Sequence, residues 1–151
     1  MTRMSAVSAF LCGAAFLTAA PSRAGAQQVR CEVHAIRASN EGAEISPQLE
    51  PYRVHLLRPP LASFTSFVLI QTQTLTLTQG QASPLRLQNG IAGEFQLDSS
   101  EDGRNVLGLS LRHEERTLVN TRFRSTIGHP FFVVVGSVIP RGTLVLGFVC
   151  R

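Results

Sequence analysis

The sequence of 151 residues contains no lysine and no tryptophan, and Tyr52 is its single tyrosine. Its 14 basic residues are therefore all arginines, and they stand against 10 acidic residues. The arginines are scattered along the chain, whereas nucleic-acid binding requires clustered positive charge. The scarcity of tryptophan and tyrosine also disfavours a sugar platform built from exposed aromatic rings. We expect no nucleic-acid partner, and a carbohydrate-binding module is a weaker alternative.

Motifs for catalysis and metal binding are missing as well. His113-Glu114-Glu115 lacks the second histidine of the zinc motif His-Glu-x-x-His. No serine lies in a Gly-x-Ser-x-Gly elbow, which positions the nucleophile of many hydrolases. The sequence therefore predicts no metal and no cofactor. An enzyme is the less favoured interpretation, and a small secreted hydrolase with an unrecognised site is its specific form.

The N-terminal segment has the order of a signal peptide. Arg3 supplies a positive charge, an apolar run follows over residues 6–20, and the small residues Ala24-Gly25-Ala26 end the segment. The run of about 15 residues is short for a bilayer core that requires about 20. We predict a signal peptide over residues 1–26, with a retained membrane anchor as the alternative. The mature chain, 27–151, is then exported to the periplasm or the extracellular space without a membrane span.

Two cysteines, Cys31 and Cys150, remain after this cleavage, because Cys12 lies in the apolar run. In an oxidising compartment a remaining pair usually forms a disulfide bond. The bond would close a loop of roughly 120 residues, for which the chain-entropy model gives about 4–5 kcal/mol. Two buried free thiols are the alternative. We predict the disulfide, formed by terminal strands that face one another inside the fold.

Period-two alternation between turn residues dominates residues 27–151. The first strand is predicted near 29–37, and the last, Thr143–Cys150, places Cys150 on its inner face. Asn89-Gly90 predicts a hairpin turn because both residues tolerate positive φ. About eight strands at this spacing predict an all-β fold, a single antiparallel β-sandwich (immunoglobulin-like or similar).

Four finer expectations follow from the same pattern. The polar cluster 99–103 predicts a turn. In the strand 117–123 we expect Thr117, Val119, Thr121 and Phe123 on one face. The wholly apolar run 131–135 predicts a strand covered on both sides. The threonines of the strand near 67–77 are expected on a solvent face, since threonine is a good strand former; they are Thr72, Thr74, Thr76 and Thr78.

Residues 40–60 form the one stretch without strand alternation. Ser46-Pro47 is typical of a helix start, Glu50-Pro51 predicts an interruption, and Pro59-Pro60 ends any helix. We expect a long loop that contains a short helical turn, with a plain crossover as the alternative to a functional loop. Because tyrosine and arginine anchor many interfaces, the loop is the first candidate for partner binding. The candidate residues are Asn40, Glu41, Tyr52, Arg53, His55 and Arg58.

Six short segments carry a resemblance to known proteins: Ala38–Gly42, Ile45–Leu49, Ser63–Phe67, Leu87–Gly90, Gly128–Phe131 and Gly142–Leu146. Together they resemble a loose group of exported bacterial proteins that consist of a single β-sandwich and have no assigned activity. The resemblance spans nearly all of the mature chain. It implies export and the sandwich fold, and it implies no functional residues.

These observations predict an exported, non-enzymatic binding or structural module of the cell envelope. Its expected partner is an envelope or extracellular protein. The prediction rests on the small fold with its predicted disulfide bond, on the missing catalytic motifs and on the single long loop. Other small β-sandwiches commonly serve as binding modules. The oligomeric state does not follow from the sequence.

Overall fold

The computed structural model describes residues 25–151, so the predicted signal peptide over 1–26 lies outside the described residues except for Gly25 and Ala26. Eight strands form two antiparallel four-stranded sheets, in the orders β2-β1-β8-β7 and β3-β4-β5-β6. This confirms the all-β sandwich. The elements are β1 (Gln28–Ser39), α1 (Arg53–Leu56), β2 (Ser66–Thr78), β3 (Ala82–Arg86), β4 (Ile91–Glu101), β5 (Arg104–His113), β6 (Arg116–Thr126), β7 (Phe131–Ile139) and β8 (Gly142–Cys150).

The core between the sheets is built by the alternation that the sequence shows. Successive side chains of a strand point to opposite faces, so every second residue of β1 and β8 lies inside. Phe95 of β4 contacts Phe148 of β8 with ring centroids 4.8 Å apart, which joins the two sheets at their centre. The other inward side chains include Val29, Val33, Leu97, Leu107, Leu109, Leu111, Leu144 and Leu146. Each contributes about 1.5–3 kcal/mol when fully buried.

Cys31 and Cys150 form the predicted disulfide bond. They lie directly opposite one another on β1 and β8, with Cα atoms 4.0 Å apart. The bond therefore joins neighbouring strands of one sheet, not strands that face one another across the sandwich as we expected. The reason is topological: the first and last strands are the two central strands of their sheet.

The hairpin at Asn89-Gly90 is confirmed, with φ values of 63° and 72° at these residues. The polar cluster 99–103, in contrast, is not a turn over its whole length. Strand β4 continues to Glu101, and the turn consists of Asp102 and Gly103, both at positive φ. Polar residues extend the strand there because antiparallel pairing with β5 supplies their backbone hydrogen bonds.

Strand β6 also departs from its predicted facing. Its register with β5 shifts between Leu111 and Arg112, so that Leu118 is an extra residue of the bulge. Thr117 consequently pairs with the outward-facing Arg112 and is exposed, whereas Leu118 packs against the core. The prediction that Thr117 shares a face with Val119 was wrong because a bulge re-aims the side chains beyond it.

The apolar run 131–135 is not covered on both sides. Strand β7 is an edge strand, and Val134 is 41% exposed. Phe131 and Val133 pack against the inter-sheet core, while Phe132 packs against a second apolar cluster on the outer face. The strand is apolar throughout because each of its two faces packs against a different apolar cluster. The outer face is covered only in part, since Phe132 is packed there whereas Val134 is exposed.

That second cluster is formed by the loop between β1 and β2. The loop, 40–65, lies on the outer face of the β2-β1-β8-β7 sheet and buries Leu49, Leu56 and Leu61. They pack against the sheet residues Ile36, Ala38, Phe67 and Val145. The predicted long loop with a short helical turn is thus confirmed, and its apolar residues give the sandwich a partial third layer.

The helical start differs from the prediction in its chemistry. Pro47 opens a 3₁₀ helix, Pro47–Tyr52, as expected, but the Ser46 hydroxyl accepts a hydrogen bond from the backbone N–H of Leu69 instead of capping the helix. Pro51 lies inside this 3₁₀ helix, and α1 follows without a break, so Glu50-Pro51 does not interrupt it. Within residues 25–151, no helix has the length and apolar character needed to cross a membrane.

Candidate functional site

The outer face of the β2-β1-β8-β7 sheet is only partly covered by the loop 40–65. One end of the face carries the apolar residues beneath the loop, such as Ile36. Towards the start of β1, the same face carries Arg30, Glu32 and His34, which alternate with the inward-facing Cys31. We call this uncovered end, with its neighbours on β2 and β8, the outer-face site.

Two arginines lie side by side at the edge of the outer-face site. The backbones of Arg30 and Arg151 exchange both of their hydrogen bonds, at 3.0 and 2.7 Å, so the residues are directly opposite one another. Side chains of such a pair lie on the same face, with Cβ atoms roughly 5 Å apart. Neither guanidinium group forms an ion pair with a carboxylate of residues 25–151. Like charges directly opposite one another destabilise a sheet.

Glu32 occupies the next row of this face. It pairs with Val149 on one side and with Thr74 on the other. These three residues and the two arginines line a cavity of about 420 Å³, which is within the usual size range of small-molecule sites. The side chains that line the cavity thus comprise two arginines, one glutamate, a hydroxyl group and an apolar valine.

His34 closes the row beyond Glu32, and it is only 4% exposed. Its Nδ1 atom lies 3.2 Å from the hydroxyl oxygen of Thr72, and its Nε2 atom lies 3.4 Å from a carboxylate oxygen of Glu32. Nε2 makes no hydrogen bond with residues 25–151. Burial lowers the pKa of His34, and the negative charge of Glu32 offsets this only in part. The hydroxyl of Thr72, the imidazole of His34 and the carboxylate of Glu32 therefore follow one another in this order, which we call the Thr72–His34–Glu32 line.

Tyr52 borders the site from the loop. Its ring lies 5.5 Å from that of His34 and 6.4 Å from that of Phe132, measured between centroids. A Cβ atom at Gly147 would approach the Phe132 ring to 2.8 Å, so glycine makes room for this aromatic group. Burial and the charge of Glu32 raise the pKa of Tyr52, while Arg151 acts in the opposite direction.

The structure separates the predicted partner-binding residues into two groups. Asn40 and Glu41 are exposed at the start of the loop and line a different cavity, which also contains Arg141. The other four belong to the helical part of the loop. Of these, Tyr52 is half-buried against the sheet, while the remaining three are exposed: Arg53, His55 and Arg58.

The exposed side of the helical part is apolar as well as basic. Val54 is 58% exposed and Leu57 is 51% exposed, although Leu56 between them is fully buried. Arg53 forms a bidentate ion pair with Glu50, at 2.7 and 2.8 Å. We call the exposed side chains of this segment the α1 surface; they are Arg53, Val54, His55, Leu57 and Arg58.

Sequence reasoning missed most of the outer-face site. Arg30, Glu32, Val149 and Arg151 were not candidates, because they are brought together by the pairing of β1 with β8, which are far apart in sequence. One signal was present: Arg30, Glu32 and His34 are ionisable residues at every second position of a predicted strand.

Metal binding has no geometric support in the described part of the chain. No group of three or more histidine, cysteine, aspartate or glutamate side chains is placed to hold a metal ion there. His113, one of the residues considered above, ends β5, and Glu114 with Glu115 forms the turn to β6. The chemistry available to the outer-face site is therefore ionic recognition and hydrogen bonding, and His34 lies next to both Thr72 and Glu32.

No family model, no curated protein and no solved structure matches the chain. The resemblance to exported bacterial sandwich proteins accordingly stays a prediction.

Proposed function

We propose that the chain is an exported module that binds another protein of the cell envelope or the extracellular space. The observation that carries this proposal is the α1 surface, which exposes Val54 and Leu57 beside two arginines. The segment that carries these side chains packs on the sheet through its buried leucines. Large exposed apolar side chains that are grouped together are typical of interaction sites. Export itself is supported by the N-terminal pattern and by the disulfide bond, which persists in oxidising compartments.

The loop is a rigid carrier for this surface. Leu49, Leu56 and Leu61 are fully buried against the sheet, so the α1 surface is presented with little conformational freedom. A surface that is ordered before binding loses less entropy in a complex. Arginine is enriched at interfaces, and Arg58 is not engaged in an ion pair within residues 25–151.

The experiment is cross-linking in the native host, capture of the tagged chain, and measurement of binding between the purified partner and designed variants. We expect Val54→Asp with Leu57→Asp to weaken binding at least about tenfold, because two charges replace the apolar contact. Ile127→Asp is the matched control, since Ile127 is exposed in the turn between β6 and β7. Equal binding by the double variant and the wild type would refute the proposal.

Tyr52→Ala is unsuitable for this purpose. The ring packs against His34 and Phe132, so its removal would disturb the sheet face as well as the surface. Arg53→Ala has a similar weakness, because it breaks the pair with Glu50.

Hydrolysis is the second candidate function, and one observation favours it. Thr72, His34 and Glu32 form a hydroxyl–imidazole–carboxylate line, which is the order of groups that activates a nucleophile in many hydrolases. The test is a panel of ester, peptide and glycoside substrates. Turnover that is lost in both Thr72→Val and His34→Gln would establish this function in place of pure binding, and an unchanged rate in either variant would exclude the line as its cause.

A further inference from the structure

We propose that the outer-face site binds a small organic acid whose carboxylate lies between Arg30 and Arg151 and whose adjacent carbon carries a hydrogen-bond donor for Glu32. Such ligands are α-hydroxy acids and α-amino acids. The site is separate from the α1 surface, so the inference does not depend on the proposed protein partner.

The arginine pair is the first step of the argument. Arg30 and Arg151 are directly opposite across β1 and β8, and no carboxylate of residues 25–151 pairs with either. Their mutual repulsion costs stability in the free protein. A carboxylate placed between them removes the repulsion and accepts charge-assisted hydrogen bonds from both guanidinium groups. A carboxylate at this position would therefore be stabilised by both arginines.

Glu32 determines which anion fits. Its carboxylate lies in the same cavity, one row from the arginines, and it would repel a multiply charged ion such as phosphate. A monoanionic carboxylate leaves Glu32 free to accept a hydrogen bond from a hydroxyl or ammonium group of the ligand. The two arginine side chains and the glutamate side chain of the cavity match a ligand with this arrangement.

Two neighbours complete the recognition. Val149 supplies an apolar wall beside Glu32, and Thr74 supplies a hydroxyl on the other side. The volume of about 420 Å³ accommodates an aliphatic side chain on the acid in addition to its polar end. Beyond Glu32 lies the buried His34, whose Nε2 is 3.4 Å from a carboxylate oxygen of Glu32 and makes no hydrogen bond within residues 25–151.

The test uses three acids with one carbon skeleton: 2-hydroxy-4-methylpentanoate, leucine and 4-methylpentanoate. They carry a hydroxyl, an ammonium group and no donor, respectively, next to the carboxylate. Binding is followed by calorimetry and by the fluorescence of Tyr52, which is the single tyrosine of a chain without tryptophan. We expect one or both donor-bearing acids to bind roughly tenfold or more tightly than 4-methylpentanoate. The stronger of the two identifies the hydroxy-acid or amino-acid class.

Variants locate the site. Arg30→Gln and Arg151→Gln should each weaken binding roughly 10- to 100-fold, since each removes a charged hydrogen bond. Arg116→Gln, an exposed arginine at the start of β6, is the matched control and should leave binding unchanged. Glu32→Leu should abolish the preference for donor-bearing acids, because leucine has no oxygen to accept the hydrogen bond. In the ligand-free protein, Arg30→Gln should unfold at a higher temperature than the wild type, because it relieves the repulsion.

Four results would overturn the proposal. The first is the absence of heat and fluorescence changes with all three acids at about 10 mM, which excludes even weak binding. The others are equal affinity for the three acids, tighter binding of inorganic phosphate than of the acids, and a loss of affinity in Arg116→Gln equal to that in the Arg30 and Arg151 variants. Loss of protein binding in the α1 variants leaves this site unaffected, so the two proposals fail independently.

Discussion

At the scale of single residues, the most unusual group is the imidazole of His34. It is buried at the border between the loop and the sheet, with its two nitrogen atoms near Thr72 and Glu32. Removal from water disfavours its charged form more than Glu32 favours it, so its pKa in the folded protein lies below the value of about 6.5 for an exposed histidine.

This lowered pKa predicts a pH dependence of stability. Below pH about 6.5 the unfolded chain takes up a proton at His34, while the folded chain does so only at lower pH. The free energy of unfolding should therefore fall as the pH decreases from about 6.5 to the folded pKa. In His34→Gln this part of the slope should disappear. The measurement is urea denaturation at a series of pH values.

His55→Gln is the control for this experiment, because His55 is a second histidine with an exposed side chain. A slope in His34→Gln that is equal to that of the wild type would show that burial of His34 does not penalise its charged form.

At the scale of elements, the docking of the loop on the sheet depends on a glycine. Gly147 of β8 has Phe132 over its Cα, and the Tyr52 ring packs against Phe132 in turn. We expect Gly147→Ala to push this ring outward and to reduce stability by about 1–3 kcal/mol, as overpacking usually does. Hydrogen exchange should show faster opening of residues 40–65, with the inter-sheet core less affected.

Gly108→Ala provides the comparison for this substitution. Gly108 lies in the middle of β5, and a Cβ atom there would meet only atoms at 3.9 Å or more. It should be neutral or slightly stabilising, because alanine restricts the unfolded chain. An equal loss of stability in both variants would show that Gly147 has no special role in docking the loop.

The elements also show why the fold was easier to predict than the site. Alternation fixed the inward faces of β1 and β8, and Asn89-Gly90 fixed one hairpin, because these signals are local. The bulge at Leu118 and the exposed edge at Val134 depend on pairing partners and on sheet order, which a local pattern does not contain. Two antiparallel sheets follow from periodicity, whereas the neighbours of each strand do not.

The outer-face site required that missing information. Thr74, Glu32 and Val149 form one row only because β1 lies between β2 and β8. Strands that are neighbours in space but distant in sequence are not specified by period-two patterning. Tyr52, in contrast, was recognised in advance because a lone tyrosine in a long loop is visible in the sequence itself, although its contact with His34 was not.

At the scale of the whole molecule, the disulfide bond links the two ends of the described chain through the centre of a sheet. Cys31 and Cys150 are separated by 119 positions in sequence. They point inward, while their neighbours Arg30, Glu32 and Val149 point into the outer-face site. The bond therefore fixes the β1–β8 register on which the arrangement of that site depends.

Loss of this bond should reduce stability without removing protein binding through the α1 surface. Cys31→Ser should lower the free energy of unfolding by about 2–5 kcal/mol, because the unfolded chain is no longer constrained by a long loop. Cys150→Ser and the double variant should lose the same amount as the single variant, since any one of them removes the whole bond. Denaturant unfolding measures the stability of all three variants, and thiol alkylation of the unreduced wild type should find no reactive Cys31 or Cys150.

Protein binding through the α1 surface should persist wherever a variant stays folded, because that surface is held by Leu49, Leu56 and Leu61 and not by the bond. A folded Cys31→Ser protein that has lost its partner completely would contradict this separation between the scaffold and the binding surface.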